Sequence, residues 1–285
     1  MKPNPRFLKQ EKTFWADIRF IGQEVGYSER GADRIKIPSI SEIEKAYKAH
    51  GLDSFHIINA QGNFTEYGKA LDEYFQYRSR ILNNTVKPLL MDAARASSHF
   101  KRLKKKLKPK CHLPMNKQKG DKRAPAYLTG ISNMLIEANI GGLPCDFNPR
   151  ALTMITIDGK PVRTFARRID GAFPAVVNPI AVWEYKEYYY TTSFGSRIAD
   201  GVYESLLDGM EIEELQENEA IEIKHYLIVD GYSTWWEQGK SYLCRLIDML
   251  HMGYVDEVLF GEEVLDRIPS LTKEWASEAR QRERK

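Results

Sequence analysis

The sequence contains little cysteine, which limits the classes of protein to which it can belong. Cys111, Cys145 and Cys244 are the three cysteines among 285 residues. An odd and widely spaced set argues against a disulfide framework and indicates a reducing compartment, so we expect a cytoplasmic protein. The pair Cys111-His112 does not predict a zinc finger, because no second ligand pair follows at finger-like spacing.

Long hydrophobic runs are also missing. No apolar stretch approaches the roughly 20 residues that a helix needs to span a bilayer, so we expect no membrane partner. Residues 1–15 lack the apolar core of a secretory signal. A G-x-x-x-x-G-K-[ST] loop is absent as well, which argues against a nucleotide-driven motor.

Acidic residues are scarce in one segment of an otherwise balanced chain. The formal net charge is only +3, yet residues 100–123, FKRLKKKLKPKCHLPMNKQKGDKR, contain Asp121 as their single acid. A basic run of this kind binds a polyanion by releasing the condensed counterions. Lys104, Lys105 and Lys106 are therefore candidate phosphate contacts. A solvated helix end followed by a linker is the alternative interpretation.

The segment before this basic run has helical patterns. Ser39 and Glu42 form a capping-box sequence, and apolar periodicity predicts helices over 65–82 and 86–107 with a break near Asn83-Asn84. We therefore expect a mainly helical domain over 1–110, a basic linker over 111–123 and an α/β domain over 124–285.

Strand patterns begin after the basic run. Two strand-like segments meet at Asp158-Gly159, a strong hairpin signal, and the second is expected to deliver Asp170 at its end. A third strand, over about 180–188, carries Glu184 and Lys186. Since side chains alternate along a strand, these two should share one face, with Trp183, Tyr185 and Glu187 on the other.

The elements around these strands complete an α/β pattern. Apolar spacing predicts a leading helix over 126–138 and, after the third strand, a helix over 196–207. A buried strand over 226–229, a helix over 241–252, a strand over 254–260 and a charged terminal helix follow.

An acid followed by an acid-x-lysine strand resembles the PD-(D/E)xK nuclease superfamily, the fold of many restriction endonucleases. The resemblance implies a core of helix, three-stranded meander, helix and strand. It also implies that Asp170, Glu184 and the carbonyl of Tyr185 hold Mg²⁺, while Lys186 positions the attacking water. Glu137, near the end of the leading helix, falls where some family members place a further metal-associated acid; solvent exposure is the alternative.

The chain contains a second copy of the same pattern. Glu222-Ile223-Lys224 matches the tripeptide, and Asp208 lies as far upstream of Glu222 as Asp170 does of Glu184. Residues 210–220 are too acidic for a core hairpin, so the element order favours the first copy.

Further residues are candidates for contact with DNA, each with a structural alternative. Arg167 and Arg168 precede Asp170, a predicted helix begins near Ser196, and a polar loop follows the strand ending at Val229. Strand or helix capping and core packing are the alternatives. The candidates are Arg167, Arg168, Ser193, Ser196, Arg197, Trp235, Trp236, Gln238 and Lys240.

The resemblance implies a magnesium-dependent DNA endonuclease acting on double-stranded DNA. We favour a type II restriction enzyme, which implies a homodimer and a cognate DNA methyltransferase encoded nearby. A structure-selective or repair nuclease on the same core is one alternative, and a DNA-binding protein that does not cleave is another.

Overall fold

A computed structural model describes residues 1–8, 10–29, 31–116, 124–191 and 195–282, without the side chain of Arg197. Within them the chain is a mixed α/β structure. The helices are α1 (Lys12–Val25), α2 (Ile40–Ala49), α3 (Glu66–Ile81), α4 (Lys87–Leu89), α5 (Ala93–Leu107), α6 (Tyr127–Asn139), α7 (Ser196–Glu219), α8 (Lys240–Met252) and α9 (Val264–Arg282). No helix in these ranges is both long and apolar enough to cross a membrane.

Six strands form two sheets in the described residues. The strands are β1 (Met154–Ile157), β2 (Lys160–Thr164), β3 (Gly171–Phe173), β4 (Ala181–Glu187), β5 (Lys224–Asp230) and β6 (Glu257–Phe260). The central sheet has the order β3-β4-β5-β6, with β3 antiparallel to β4 and β4, β5 and β6 parallel. Strands β1 and β2 pair only with each other.

The hairpin expected at Asp158-Gly159 is present, but it lies elsewhere than expected. Both turn residues have positive φ, 51° and 75°, as a tight hairpin turn between twisted strands requires. Strand β2 is largely exposed and ends at Thr164, so it lacks the buried side chains that a strand of the central sheet has. The expectation that the second strand delivers Asp170 was therefore wrong, because Asp170 lies after a connecting loop, directly before β3.

Strand β4 lies inside the sheet and separates two kinds of surroundings. On one face Trp183 stacks on Trp275 of α9, with ring centroids 5.5 Å apart and an interplanar angle of 9°. On the same face the Tyr185 hydroxyl donates to Asn133 of α6 at 2.9 Å. Glu184 and Lys186 point to the opposite face, toward α7. The alternation expected from the sequence is confirmed.

The helices around the sheet follow the predicted order, with one difference in length. Helices α6 and α8 lie within a residue of their expected bounds. Helix α7 begins at Ser196 as expected, but it continues to Glu219. Its acidic second half is thus helical, in agreement with its rejection as a hairpin.

The amino-terminal segment is mainly helical and packs against the sheet domain. The capping box of Ser39 and Glu42 is formed at the start of α2. Between α3 and α4 lies a π-helical turn, Leu82–Val86, close to the expected break. Arg78 of α3 and Asp248 of α8 form a buried ion pair at 2.9 Å, which ties the amino-terminal helices to the sheet domain.

Helix α5 shares a hydrophobic cluster with α6 and the sheet. Phe100 and Leu103 of α5 are buried in this cluster with Leu128 and Ile131 of α6. The basic residues of α5 lie on its other side, because the apolar positions of the helix recur on one face. Helices α5, α6 and α9 thus form one layer on the Trp183 face of the sheet.

Candidate active site

The structure brings together the three residues that the sequence pattern predicts as a site. The Nζ atom of Lys186 lies 3.2 Å from Oε2 of Glu184. The backbone N–H of Asp170 donates to Oε1 of Glu184 at 3.1 Å, and that of Tyr185 donates to Oδ2 of Asp170 at 2.8 Å. These two bonds fix the Asp170 loop against β4, beside the residue that pairs with Lys186.

The two carboxylates differ in their contact with water. Glu184 is only 1 % exposed, whereas Asp170 retains solvent access. Dense protein surroundings, and after them the charge of Glu184, raise the pKa of Asp170 to about 6. Oδ1 of Asp170 has no hydrogen-bond partner among the described residues. The site therefore holds more negative charge than its hydrogen bonds neutralise.

Lys186 is buried at the centre of this arrangement. Burial opposes the charged form of its amine, but the charge of Glu184 and the other neighbours outweighs burial and raises the pKa of Lys186. Gly201 of α7 lies against it: a Cβ atom there would be 3.6 Å from Nζ. That distance is an ordinary van der Waals contact, so α7 packs directly on the amine; the closest atom to such a Cβ would be the Tyr188 hydroxyl at 3.2 Å.

Helix α7 adds two acids that the sequence pattern did not assign to this site. Asp208 is fully buried, and its Oδ2 accepts from Arg167 at 2.6 Å. Glu204, one turn earlier, lies 3.3 Å from Arg167 and 3.8 Å from Lys186. Their four-residue spacing places them on one helix face, which is the signal that could have found them. The tripeptide pattern places Asp208 with the second copy, Glu222-Ile223-Lys224, instead.

Arg167 connects these acids. Its guanidinium donates to Oε2 of Glu184 at 3.0 Å and also to Asp208. Burial lowers the pKa of Arg167, but the neighbouring carboxylates outweigh burial and raise it. It was predicted as a contact to DNA phosphate. The structure instead engages it with Glu184, Glu204 and Asp208, where it neutralises the acidic cluster.

Asp208 retains an uncompensated atom despite this arginine. Burial, and then the charge of Glu184, raise the pKa of Asp208 to about 7. Its Oδ1 is buried and has no hydrogen-bond partner in the described part of the chain. An orphaned buried carboxylate oxygen is costly, and a cation or an ordered water would satisfy it.

The remaining predicted metal ligands have different positions. The backbone of Tyr185 adjoins Asp170 through the bond described above. The carboxylate of Glu137, in contrast, accepts from the backbone N–H of Lys110 at 3.0 and 3.2 Å, on the α5 and α6 side of the sheet. Among the described residues no group of three or more histidine, cysteine, aspartate or glutamate side chains is arranged to hold a metal.

The second copy of the tripeptide lies outside this cluster. Lys224 pairs with Glu222 at 3.4 Å and with Asp256 at 3.5 Å, and all three side chains are at least 39 % exposed. Lys224 is aligned with Ala181, three residues along the strands from the Glu184 position, or roughly 10 Å. Asp208 faces the first copy and not this one.

The predicted DNA-contacting residues are scattered. Arg168, Ser196 and Gln238 are exposed, and the Lys240 amine lies 5.3 Å from the ring centroid of Trp236. Lys104, Lys105 and Lys106 are exposed on α5, in the layer on the far side of the sheet from Glu184. Ser193 and the Arg197 side chain lie outside the described residues.

Trp235 and Trp236 were expected to stack on bases or to pack in the core, and the structure packs both. Each is fully buried, so neither ring offers a face to a base. The indole of Trp235 donates to the carbonyl of Lys186 at 3.1 Å, and that of Trp236 to Asp33 at 2.5 Å. Trp235 thus supports the strand that carries the site.

Comparisons with known proteins give family matches without an activity. A family profile described as "Domain of unknown function (DUF7687)" matches residues 91–275. A second one, "Domain of unknown function (DUF7690)", matches residues 1–85. No curated protein and no solved structure matches the chain significantly. The two matches meet just before α5, so the first covers the whole acidic cluster.

Proposed function

The chain belongs to the DUF7687 family, and we propose from its acidic cluster that it is a magnesium-dependent DNA endonuclease on a restriction-endonuclease-like core. One observation carries this proposal. Glu184 of β4 pairs with Lys186 at 3.2 Å and accepts the backbone N–H of Asp170 at 3.1 Å, so two separate segments bring these three residues together beside the central sheet. Helix α6, the antiparallel pair β3 and β4, helix α7 and the parallel strand β5 follow one another along the chain, which supports the proposal in part, since β1 and β2 stand apart and the expected three-stranded meander is not formed in the central sheet.

The residues fit a hard divalent cation. Carboxylate and carbonyl oxygens are the ligands that Mg²⁺ prefers, and it commonly uses one or two carboxylates and retains several waters. Asp170 and Glu184 supply such oxygens, with the carbonyl of Tyr185 beside them, so a group of three acidic side chains is not required. The buried Oδ1 of Asp208, which has no hydrogen-bond partner in the described residues, is a further oxygen that a cation or its water would satisfy. When bound, the ion would act as a Lewis acid and lower the pKa of its water.

The chain's own residues have distinct roles in this proposal. Lys186, a cation held 3.2 Å from Glu184, orients the attacking water and stabilises the charge that gathers on phosphorus. Arg167 supplies positive charge to Glu184 and Asp208 when no other cation does so. Asp170 is the exposed member of the three, so a phosphodiester would approach the cluster from its side.

DNA would be held outside this cluster. Exposed Arg168, two residues before Asp170, is the candidate closest along the chain, and Ser196 begins α7. The exposed lysines of α5 add attraction that salt weakens. We favour a homodimeric type II restriction enzyme with a methyltransferase encoded nearby, by analogy with enzymes of this core.

Incubation with DNA tests the proposal. The purified protein is mixed with unmodified phage DNA, with and without Mg²⁺, beside Asp170→Asn and Lys186→Ala. Lys224→Ala serves as the matched control, since it removes an exposed lysine from the second tripeptide. Discrete fragments from the parent and from Lys224→Ala alone, and only with Mg²⁺, are the expected result.

The alternatives give different results in the same experiment. Cleavage restricted to branched or damaged DNA would assign a structure-selective or repair nuclease to the same cluster. DNA that is retarded in a gel but intact under all conditions would indicate a binding protein without cleavage and would refute the proposal. Equal loss of cleavage in Lys186→Ala and Lys224→Ala would contradict the choice of site.

A further inference from the structure

A cavity of about 410 Å³ lies between the amino-terminal helix α1 and helices α7 and α8. Its volume is within the range of small-molecule sites, which often occur where two domains meet. Aromatic and apolar side chains form much of its wall, among them Phe20 and Tyr27 from the amino-terminal part and Val202, Tyr203 and Leu206 from α7. It is separate from the acidic cluster.

Two arginines in the wall of this cavity have no ion-pair partner among the described residues. Arg19 and Arg245 line it, and neither has a carboxylate within ion-pair distance in the described part of the chain. Arg245 donates to the Tyr203 hydroxyl at 3.0 Å and to Gln23 at 3.3 Å, both neutral groups. Its guanidinium also lies over the Tyr27 ring, 5.7 Å from the centroid.

The acids in the cavity wall are already paired. Asp248 accepts two hydrogen bonds from Arg78 and a third from Tyr74. Glu24 lies 2.8 Å from His50. Both acids thus have a side-chain partner, whereas Arg19 and Arg245 have no ion-pair partner in the described part of the chain. An anion bound there would receive charge-assisted hydrogen bonds from planar guanidinium groups, and an attached ring would contact the aromatic wall.

Helix α7 connects this cavity with the acidic cluster. Gly201, Glu204 and Asp208 recur on the face toward Lys186 and Arg167. Val202 and Leu206 belong to the cavity face, about 100° further around the helix. Because one rigid helix carries both sets, a ligand that orders or displaces α7 also acts on Glu204 and Asp208.

We propose that this cavity binds a nucleotide, its phosphate on Arg19 and Arg245 and its base against the aromatic wall, and that occupancy regulates the acidic cluster through α7. The regulatory half rests on the proposed nuclease function. The binding half does not, because it depends only on the aromatic wall of the cavity and on the two arginines that are unpaired within the described residues.

Calorimetry with adenosine 5′-monophosphate tests the binding half. The full-length protein is titrated with this nucleotide and, separately, with adenosine and with inorganic phosphate. We expect the intact nucleotide to bind at least about tenfold more tightly than either part, since each part loses contacts that the whole makes. Equal affinity for phosphate alone, or no binding of the nucleotide, would overturn the assignment.

Variants locate the site and distinguish the source of the nucleotide. Arg19→Gln combined with Arg245→Gln should weaken binding by about tenfold or more, whereas Arg80→Gln, an exposed arginine of α3, should not change it. Tyr203→Ala, which truncates a half-exposed ring, gives a second variant if the double change unfolds the protein. Competition by a short single-stranded oligonucleotide would identify a nucleotide of a DNA strand as the occupant; no competition would identify a free nucleotide.

Hydrogen exchange tests the coupling without reference to cleavage. Amides of residues 201–208 should exchange more slowly when the nucleotide is bound, and the DNA cleavage rate should change with nucleotide concentration. Binding with unchanged exchange and unchanged cleavage would overturn the regulatory half. Binding and slower exchange in a protein that never cuts DNA would retain the site and refute the nuclease.

Discussion

The chain contains the same tripeptide pattern twice, and the two copies have opposite surroundings. Glu184 and Lys186 are buried, lie beside Asp170 and face two acids of α7. Glu222 and Lys224 lie at the start of β5 with more than a third of each side chain exposed. A surface pair of this kind is worth at most about 1 kcal/mol, whereas buried charges impose a large cost unless a partner compensates them.

The difference shows that chemistry depends on what the fold adds to a motif. Around the first copy, Arg167 pairs with Asp208, but the buried Oδ1 atom of Asp208 has no hydrogen-bond partner in the described residues. Around the second, solvent and Asp256 satisfy the same residue types. Strongly perturbed charges of this kind cluster at functional sites. The comparison predicts that matched substitutions in the two copies will have unequal effects.

The largest difference is expected from removing one carboxylate charge in each copy. Glu184→Gln should lower the rate of DNA cleavage by about 10³-fold or more, since the metal contributes several kcal/mol to such reactions. Glu222→Gln should stay within about twofold of the parent, because its exposed side chain leaves the cluster unchanged. Initial rates at saturating Mg²⁺ provide the measurement. The reverse order would transfer the active site to the second copy.

Removing Arg167 should reveal the charge that it neutralises. Arg167→Gln leaves Glu184 and Asp208 buried without this partner, so the free energy of unfolding in EDTA should fall by about 3 kcal/mol. Mg²⁺ should restore more stability to this variant than to the parent, since a ligand stabilises the state that binds it. Urea denaturation with and without the metal measures both.

Arg163→Gln is the control for this arginine. Arg163 pairs with Glu214, whose side chain is 55 % exposed, so the loss should be about 1 kcal/mol or less. Mg²⁺ should not change it. If Arg167→Gln and Arg163→Gln are equally stable in EDTA, the acidic cluster does not need the positive charge of Arg167.

Replacing Lys186 and replacing Lys224 should have different effects on the rate of the chemical step. Lys186→Ala removes the buried amine beside Glu184 and should reduce cleavage by about 10²-fold, the lower range for a positioned proton-transfer or water-orienting group. Lys224→Ala should have no measurable effect. Single-turnover rates separate this step from DNA binding, which gel retardation monitors. Equal DNA affinity with a slower step is the expected result for Lys186→Ala, and weakened binding alone would contradict its assigned role.

The sequence predicted the elements better than their connections. Alternation along β4 and the apolar spacing of α6 and α8 are local signals, and the structure has those elements nearly where they were expected. The separation of β1 and β2 from the central sheet depends on which strand finds a buried neighbour, a long-range choice that local patterns do not encode.

Arg167 and Asp208 show the same limit within the site. The sequence provides an arginine near Asp170 and an acid on a helix, but their ion pair at 2.6 Å depends on how α7 crosses the sheet. Trp235 and Trp236 occur in a loop-like segment, yet both are fully buried. Their indole N–H groups find the Lys186 carbonyl and Asp33, partners more than 40 residues away along the chain.

The smallest expected difference is in how the free energy of unfolding depends on pH. The pKa of Asp208 is raised to about 7 in the folded chain, so the folded state binds a proton there that the unfolded state has already released above about pH 4. Its contribution to stability is present below that pH and is lost as the pH rises toward 7. Asp208→Asn should therefore reduce the decline of unfolding free energy over this interval by up to about 1.4 kcal/mol per pH unit.

The pKa of Asp170 is also raised, to about 6, so Asp170 too makes the free energy of unfolding fall as the pH rises. Glu222→Gln should reproduce the decline of the parent in EDTA, because its exposed carboxylate is solvated in both states. Saturating Mg²⁺ should flatten the parent's decline, since a bound cation favours the ionised acids. Denaturation series between pH 5 and 7.5 make the comparison. A parent whose stability rises over that interval would mean that the carboxylates of the first copy are already fully compensated without a metal.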